Sequence, residues 1–287
     1  TIGRWMNKAM PALEHRSPVT VSPATGRAAR VLQITDPHLM ADTDGTLLGV
    51  RTRESLDAVV QCARTRYGHP DLLLATGDLA QDASETAYRE FARQVSVFGC
   101  PESWVAGNHD DSELLTRVAE RYNAAGRHLL IGQWQVIMLD SSVNGQVYGY
   151  QEPEELAFLE DALASYPGRP ALVSLHHHPI EIGTQWMNAI GLSNRDDFWR
   201  VIDRFDNVRA VLWGHIHQDL DLYRGDVRLL ATPSTCIQFE AGSTDFSVER
   251  LAPGFRWLDL RSDGTIQTGV ERATDFHYEL DTDSTGY

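Results

Sequence analysis

Five apolar runs in this chain each break off into a turn made of Asp, His or Asn, and no other feature constrains the fold as tightly. VLQIT (31–35) leads into Asp36-Pro37-His38, DLLLAT (71–76) into Gly77-Asp78, and SWVA (103–106) into Gly107-Asn108-His109-Asp110. ALVSL (171–175) leads into His176-His177-His178, and VRAVLW (208–213) into Gly214-His215-Ile216-His217. Short apolar runs bounded by turn residues read as buried strands. Between them lie segments with apolar residues at helical spacing. These are RESLDAVVQCARTRY (53–67) with Thr52 as the expected cap, SETAYREFARQVSVF (84–98) capped by Ser84, SELLTRVAERY (112–122), and PEELAFLEDALASY (153–166) opened by Pro153. WQVIMLD (134–140) reads as one more strand.

Strands alternating with helices predict an α/β fold, and open α/β sheets gather ligands beyond the carboxyl ends of their strands. The five turns are therefore expected on one rim, although they run from residue 36 to residue 217. After them the texture changes. DLDLYRGDVRLLATPST, DFSVERLAP, GFRWLDLRSDG and TIQTGVERA read as short, mainly antiparallel strands, with RGD and SDG as turns. With no linker between the two parts, residues 31–287 read as a single two-sheet domain. Residues 1–30 have no sustained period and are expected to be a tail or linker.

The turns carry metal-ligand side chains without a thiolate, which suits manganese, iron, zinc or cobalt over a structural zinc cage. In D-x-H and H-x-H the two side chains stand at i and i+2, on one side of an extended backbone, so both can aim at one centre. Asp36, His38, Asp78, Asn108, one histidine of the triplet, His215 and His217 make more ligands than one ion with an open position can use. Two ions fit if a carboxylate bridges them. Only two of these ligands are anionic, so two divalent ions leave local positive charge and favour an anionic substrate; a pair of ions suits displacement at phosphorus. Taken singly, each turn is an ordinary turn. Five of them behind five strands point to a metal site.

Charge and cysteine usage narrow the setting. Forty acidic against 25 basic residues give a net charge of -15, the wrong sign for a nucleic-acid polymer. Cys62, Cys100 and Cys236 form no C-x-x-C pair, which fits a reducing cytoplasm. No apolar run reaches the length of a membrane span, so no membrane is expected as partner. Whether the chain is a monomer or a homodimer is left open.

D-x-H, G-D, G-N-H-D, H-H-P and G-H-x-H together resemble the motifs of the calcineurin-like metallophosphoesterases. LLGVRTRES, TGDLAQD, GHIHQDLDL and LLATPSTCIQF are similar to the bacterial class III cyclic nucleotide phosphodiesterases, from about Val31 to Tyr287. The resemblance implies two central mixed β-sheets packed as a sandwich and flanked by helices. It also implies two transition-metal ions, with Asp36, His38 and His217 on one, Asn108, His176 and His215 on the other, and Asp78 bridging. Pro37 departs mildly from relatives, which often carry another residue there. The implied reaction is hydrolysis of 3',5'-cyclic AMP to 5'-AMP by a hydroxide bridging the ions. The substrate would be held by His38, Asp78, Asn108, His109, His176 and His217. His109, free of metal, would contact the phosphate and protonate the leaving oxygen, a role suited to imidazole.

Strand alternation puts His176 and His178 on one side and His177 on the other. His177 and His178 then either support the ligands or are turn residues before Pro179. Asp110 either orients a neighbouring imidazole or caps the helix that starts at Ser112. Rival readings keep the ions and change the substrate to a glycerophosphodiester, another cyclic nucleotide or a phosphomonoester. A binding protein without turnover would show a broken ligand set, and the set here is complete. A metallo-β-lactamase-type hydrolase needs a contiguous H-x-H-x-D-H, which the sequence lacks.

Overall fold

In the computed structural model, which describes residues 17–281, the apolar runs are strands and the helical-period segments are helices. The first half of the chain contributes β1 (Val19–Val21), β2 (Ala29–Ile34), β3 (Thr46–Leu47), β4 (Val50–Arg51), β5 (Leu72–Thr76), β6 (Glu102–Val105), β7 (His128–Ile131) and β8 (Trp134–Met138). The second half contributes β9 (Ala171–Ser174), β10 (Val208–Trp213), β11 (Leu220–Arg224), β12 (Val227–Ala231), β13 (Gln238–Phe239), β14 (Val248–Glu249), β15 (Gly254–Leu260) and β16 (Ile266–Arg272). The helices are α1 (Thr52–Tyr67), α2 (Glu85–Val95), α3 (Ser112–Arg121), α4 (Pro153–Ser165) and α5 (Arg195–Ile202).

Two mixed sheets result, in the orders β16-β15-β2-β5-β6 and β1-β7-β8-β9-β10-β12-β11. β2, β5 and β6 run parallel, and so do β8, β9, β10 and β12. The C-terminal strands complete both sheets: β15 joins β2 antiparallel, and β11 pairs antiparallel with β12.

Alternation along each strand sorts the apolar side chains into three layers. Val31, Leu72, Leu74 and Val105 of the five-stranded sheet share a buried cluster with Val136, Met138, Leu172 and Leu212 of the seven-stranded sheet. Their neighbours Leu32, Ile34, Leu73 and Ala75 point the other way, onto Leu56, Val59 and Val60 of α1 and Phe91 of α2. Ile137, Val173, Val211 and Trp213 pack on Leu159 and Leu163 of α4 and Phe198 and Ile202 of α5. The expected sandwich flanked by helices is what forms. Strands covered on both sides have no polar face, which is why these runs are almost continuously apolar, with Gln33 and Gln135 fully buried among them.

Some expectations need correction. Thr52 is the first residue of α1, and the capping position is Arg51, whose side chain makes no cap bond. Ser84 does cap α2, accepting from the Ala87 N–H at 3.2 Å. β7 and α5 are additional elements, too short for their period to stand out in sequence. DFSVERLAP yields only the two-residue strand β14. The tail placed at residues 1–30 ends earlier. β1 pairs with β7, Ala29 and Arg30 already belong to β2, and Asp71 accepts from the Ala24 and Arg30 N–H groups at 2.8 and 2.7 Å while pairing with Arg27. β1 has no sequence signature because only Val21 of its three side chains is buried. Residues 1–16 of that tail lie outside the described residues, as do residues 282–287.

Candidate metal centre

The turn after β2 lies along the turn after β5: the Asp36 N–H donates to Gly77 O and the His38 N–H to Asp78 O, both at 3.0 Å. On the other sheet the Gly214 N–H donates to His176 O at 3.3 Å. The backbone in these turns is not extended. Asp36, His38, Asp78, His215 and His217 have φ of 53°, 47°, 50°, 64° and 50°. The left-handed region costs a non-glycine residue about 1–2 kcal/mol. The D-x-H and H-x-H pairs therefore share a centre through left-handed turns at both residues, and not by alternation of an extended chain. The triplet corrects the same argument. His176 and His177 both group with His215, and the His178 ring stacks on that of His215 at 5.6 Å.

The predicted side chains converge. Asp36 Oδ1 lies 3.3 Å from His217 Nε2, and His38 Nε2 lies 3.2 Å from His217 Nε2. Asp78 Oδ2 stands between His176 Nε2, at 3.3 Å, and His38 Nε2, at 3.9 Å. His176 Nε2 is also 3.3 Å from Asn108 Oδ1 and 4.0 Å from Asp36 Oδ1. Among the described residues, four three-residue groups have ligand atoms close enough to hold an ion: Asp36, His38 and His217; Asp36, Asp78 and His176; His38, Asp78 and His109; and His176, His177 and His215. Asp78 and His176 link the first group to the last. His109, expected to stand apart from metal, is in a group with Asp78; its N–H donates to Asp78 Oδ1 at 2.8 Å and its ring meets that of His38 edge-on at 5.0 Å.

Groups around the centre set the tautomers. His38 Nδ1 donates to Gln81 Oε1 at 2.7 Å, His176 Nδ1 to Thr76 O at 2.7 Å, and His217 Nδ1 to Ile237 O at 2.9 Å. His215 is reversed, with Nε2 donating to Ile190 O at 2.9 Å. A carbonyl oxygen only accepts, so each donating nitrogen carries the proton and the opposite nitrogen keeps a lone pair. These lone pairs then face one another and the carboxylates at contact distance, which is repulsive unless positive charge sits among them. Asp78 Oδ2 and His215 Nδ1 are buried with no hydrogen-bond partner. An orphaned carboxylate oxygen among converging imidazole lone pairs fits a metal-ion pair.

Electrostatics agree. Burial drives the His38 pKa down to about 3, keeping that ring neutral, and puts His215 well below the usual histidine range. Burial works against His176 too, but the charges of Asp78 and Asp36 outweigh it and raise the ring to about 9, so Nε2 takes up a proton that a bound ion would displace. For Asp78 burial acts upward and is overcome by His176 and His109, leaving the carboxyl well below its ordinary range. In Asp36 the same burial effect is overcome by His217 and His176, and its pKa falls. Both carboxylates are anionic, as ligands must be.

Asp110 does neither thing expected of it. Its carboxylate accepts the N–H groups of Leu79, Ala80 and Gly107 at 3.2, 2.9 and 2.9 Å, tying the turn after β5 to the turn after β6. The cap of α3 is Asp111, which accepts from the Leu114 N–H at 2.9 Å. His177 Nδ1 lies 2.8 Å from Ser141 Oγ, while His178 has no hydrogen-bond partner on either ring nitrogen. Sequence reasoning also missed Gln81, Ser141 and Thr35, whose hydroxyl donates to Asp36 Oδ2 at 2.5 Å. Gln81 was within reach, three positions after Asp78 in TGDLAQD; the others carry no local signal.

The comparisons with known proteins agree with this geometry. Residues 29–219 match the calcineurin-like phosphoesterase family. The chain is similar to the 3',5'-cyclic adenosine monophosphate phosphodiesterase CpdA of Pseudomonas aeruginosa, with 44% identity over 93% of this chain and 98% of that one. The CpdA of Escherichia coli K12 is 42% identical over 92% and 98%. A dimetal phosphatase from Danio rerio shares the fold with a TM-score of 0.62 at 12% identity, over 86% of this chain and 97% of that one. This chain belongs to the calcineurin-like phosphoesterase family.

Proposed function

We propose that this chain is a two-metal phosphodiesterase that hydrolyses 3',5'-cyclic AMP to 5'-AMP. The single observation that carries the reading is Asp78 Oδ2, buried without a hydrogen bond between His176 Nε2 and His38 Nε2. Asp36, His38 and His217 would hold one ion and Asn108, His176 and His215 the other, with Asp78 shared. The ions, drawn from iron, manganese, zinc and cobalt, supply Lewis acidity at phosphorus and an activated water when bound. The relatives named as cyclic AMP phosphodiesterases support the substrate.

The chain's own residues do the rest. Asn108 Nδ2 donates to a phosphoryl oxygen, and His109 gives a proton to the departing O3'. The His109 backbone is fixed by its bond to Asp78 Oδ1, so the acid and the shared carboxylate move together. Three cysteines without disulfides support a reducing cytoplasm. Among the described residues no helix is long and apolar enough to cross a membrane. The two sheets share one buried layer, which supports a single catalytic domain.

Elemental analysis of protein purified without chelator, alongside cyclic AMP hydrolysis on the same sample, tests the reading. About two transition ions per chain with turnover are expected. Full activity without them contradicts it, as does a substrate panel in which another phosphodiester has the higher kcat/KM.

A further inference from the structure

Three aromatic rings form a triangle beside the metal centre. Phe239 stacks face to face on His217, with centroids 4.1 Å apart and planes within 5°. Trp186 meets Phe239 edge-on at 5.0 Å, and Phe246 meets both, at 5.3 Å from Trp186 and 5.7 Å from Phe239. Phe239 is fully buried, whereas Phe246 is 45% exposed. The rings therefore run from a metal-ligand candidate out to the surface.

The segments carrying them are tied together. The Gln185 N–H donates to Ser243 O at 3.0 Å, Trp186 Nε1 to Ser243 Oγ at 3.3 Å, and the Gly242 N–H to Thr184 Oγ1 at 3.1 Å. The Gln218 amide, one residue past His217, donates to Thr184 Oγ1 at 3.0 Å. These bonds hold the aromatic corner in register with the ligand loop. A half-exposed phenylalanine is unremarkable alone. A corner of aromatic rings anchored next to a site for an anion is the pairing a nucleotide needs, since cations take the phosphate and a π-face takes the base.

Resting on the reading of the centre as a cyclic nucleotide site, we propose that the base of the substrate stacks on the corner formed by Phe246 and Trp186. Stacking reads the size of a ring system and not its hydrogen-bond pattern, so the corner favours purine over pyrimidine cyclic nucleotides and separates adenine from guanine weakly.

Equilibrium dialysis of the metal-loaded protein against 5'-AMP and ribose 5-phosphate isolates the base. The native protein is expected to hold 5'-AMP about ten-fold or more tighter than ribose 5-phosphate. Phe246→Ala and Phe246→Leu should erase most of that gap, and Phe246→Tyr should keep it. The proposal is overturned if the native protein shows no gap, if the gap survives in both the Ala and Leu variants, or if affinity for ribose 5-phosphate falls in parallel. A native protein that shows the gap but does not hydrolyse cyclic AMP leaves the stacking site standing and refutes the reaction proposed above.

Discussion

Replacing Asp110 by alanine tests whether one carboxylate outside the ligand set holds two ligand-bearing turns together. It accepts three backbone N–H groups, from Leu79, Ala80 and Gly107, the first two in fully buried residues. Each buried donor left unpaired costs about 1–3 kcal/mol. Water entering the vacated space satisfies part of the demand, so the net loss should be about 3–5 kcal/mol. At about 2–4 °C per kcal/mol for a chain of this size, the melting temperature should fall by roughly 6–20 °C. Leu79 and Ala80 follow Asp78 directly and Gly107 precedes Asn108, so slack here moves both ligands; a displacement of about 1 Å can cost 10²-fold in rate. Asp110→Asn keeps one accepting oxygen and should fall between native and alanine. Thermal denaturation by circular dichroism, with and without chelator, is read together with metal content and turnover. An alanine variant that melts within about 2 °C of native and keeps two ions would refute the reasoning.

Three further perturbations probe other parts. A Cβ on Gly214 would collide with Thr35 Oγ1 and come within 2.5 Å of Asp36 Oδ2, so Gly214→Ala should cost about 1–3 kcal/mol and empty the site holding Asp36. Gly168→Ala, with nothing within 4 Å, is the control for metal analysis and melting. His109→Ala should lower turnover about 10²- to 10⁴-fold while keeping its ions, and loss of both ions would contradict its role as acid. Burial pushes the Glu102 carboxyl up to about 7 against the Trp104 Nε1–H bond that lowers it. Between pH 4.5 and 7 the folded state keeps a proton that the unfolded state gives up, so native stability falls as pH rises through that window. Glu102→Gln should remove that slope and be more stable than native by about 1–2 kcal/mol at pH 8, and no more stable at pH 4, in urea titrations; equal slopes would sink the assignment.

Much of this was legible because burial imposes a pattern. The stretches LLLA (72–75) and AVLW (210–213) are apolar throughout since their strands are covered on both faces, and the turns behind them are polar since they line the site. What escaped was whatever draws its identity from distant residues. β1 buries one side chain, and its place depends on pairing with β7. Asp110 and Asp111 are identical in type and adjacent, yet one ties two turns and the other caps α3. Ile190 and Ile237 orient His215 and His217 through main-chain oxygens, so their side chains give no hint.

Of the expectations that failed, side-chain alternation is the most informative. Side-chain alternation assumes an extended backbone, whereas five candidate ligands sit in the left-handed region. At about 1–2 kcal/mol each the strain comes to roughly 5–10 kcal/mol, comparable to the whole net stability of a domain. Glycine would relieve it at every one of these positions, and the chain does place glycine beside two of them, Gly77 before Asp78 and Gly214 before His215, where a Cβ would strike His176 or Asp36. At the five strained positions glycine would delete the oxygen or nitrogen that meets the others. Asp and His are among the side chains that tolerate this conformation best, so the choice of ligand type and the geometry of the turn are one decision. The three buried apolar layers hold a backbone that is unfavourable by itself, and they hold it where lone pairs and carboxylates converge.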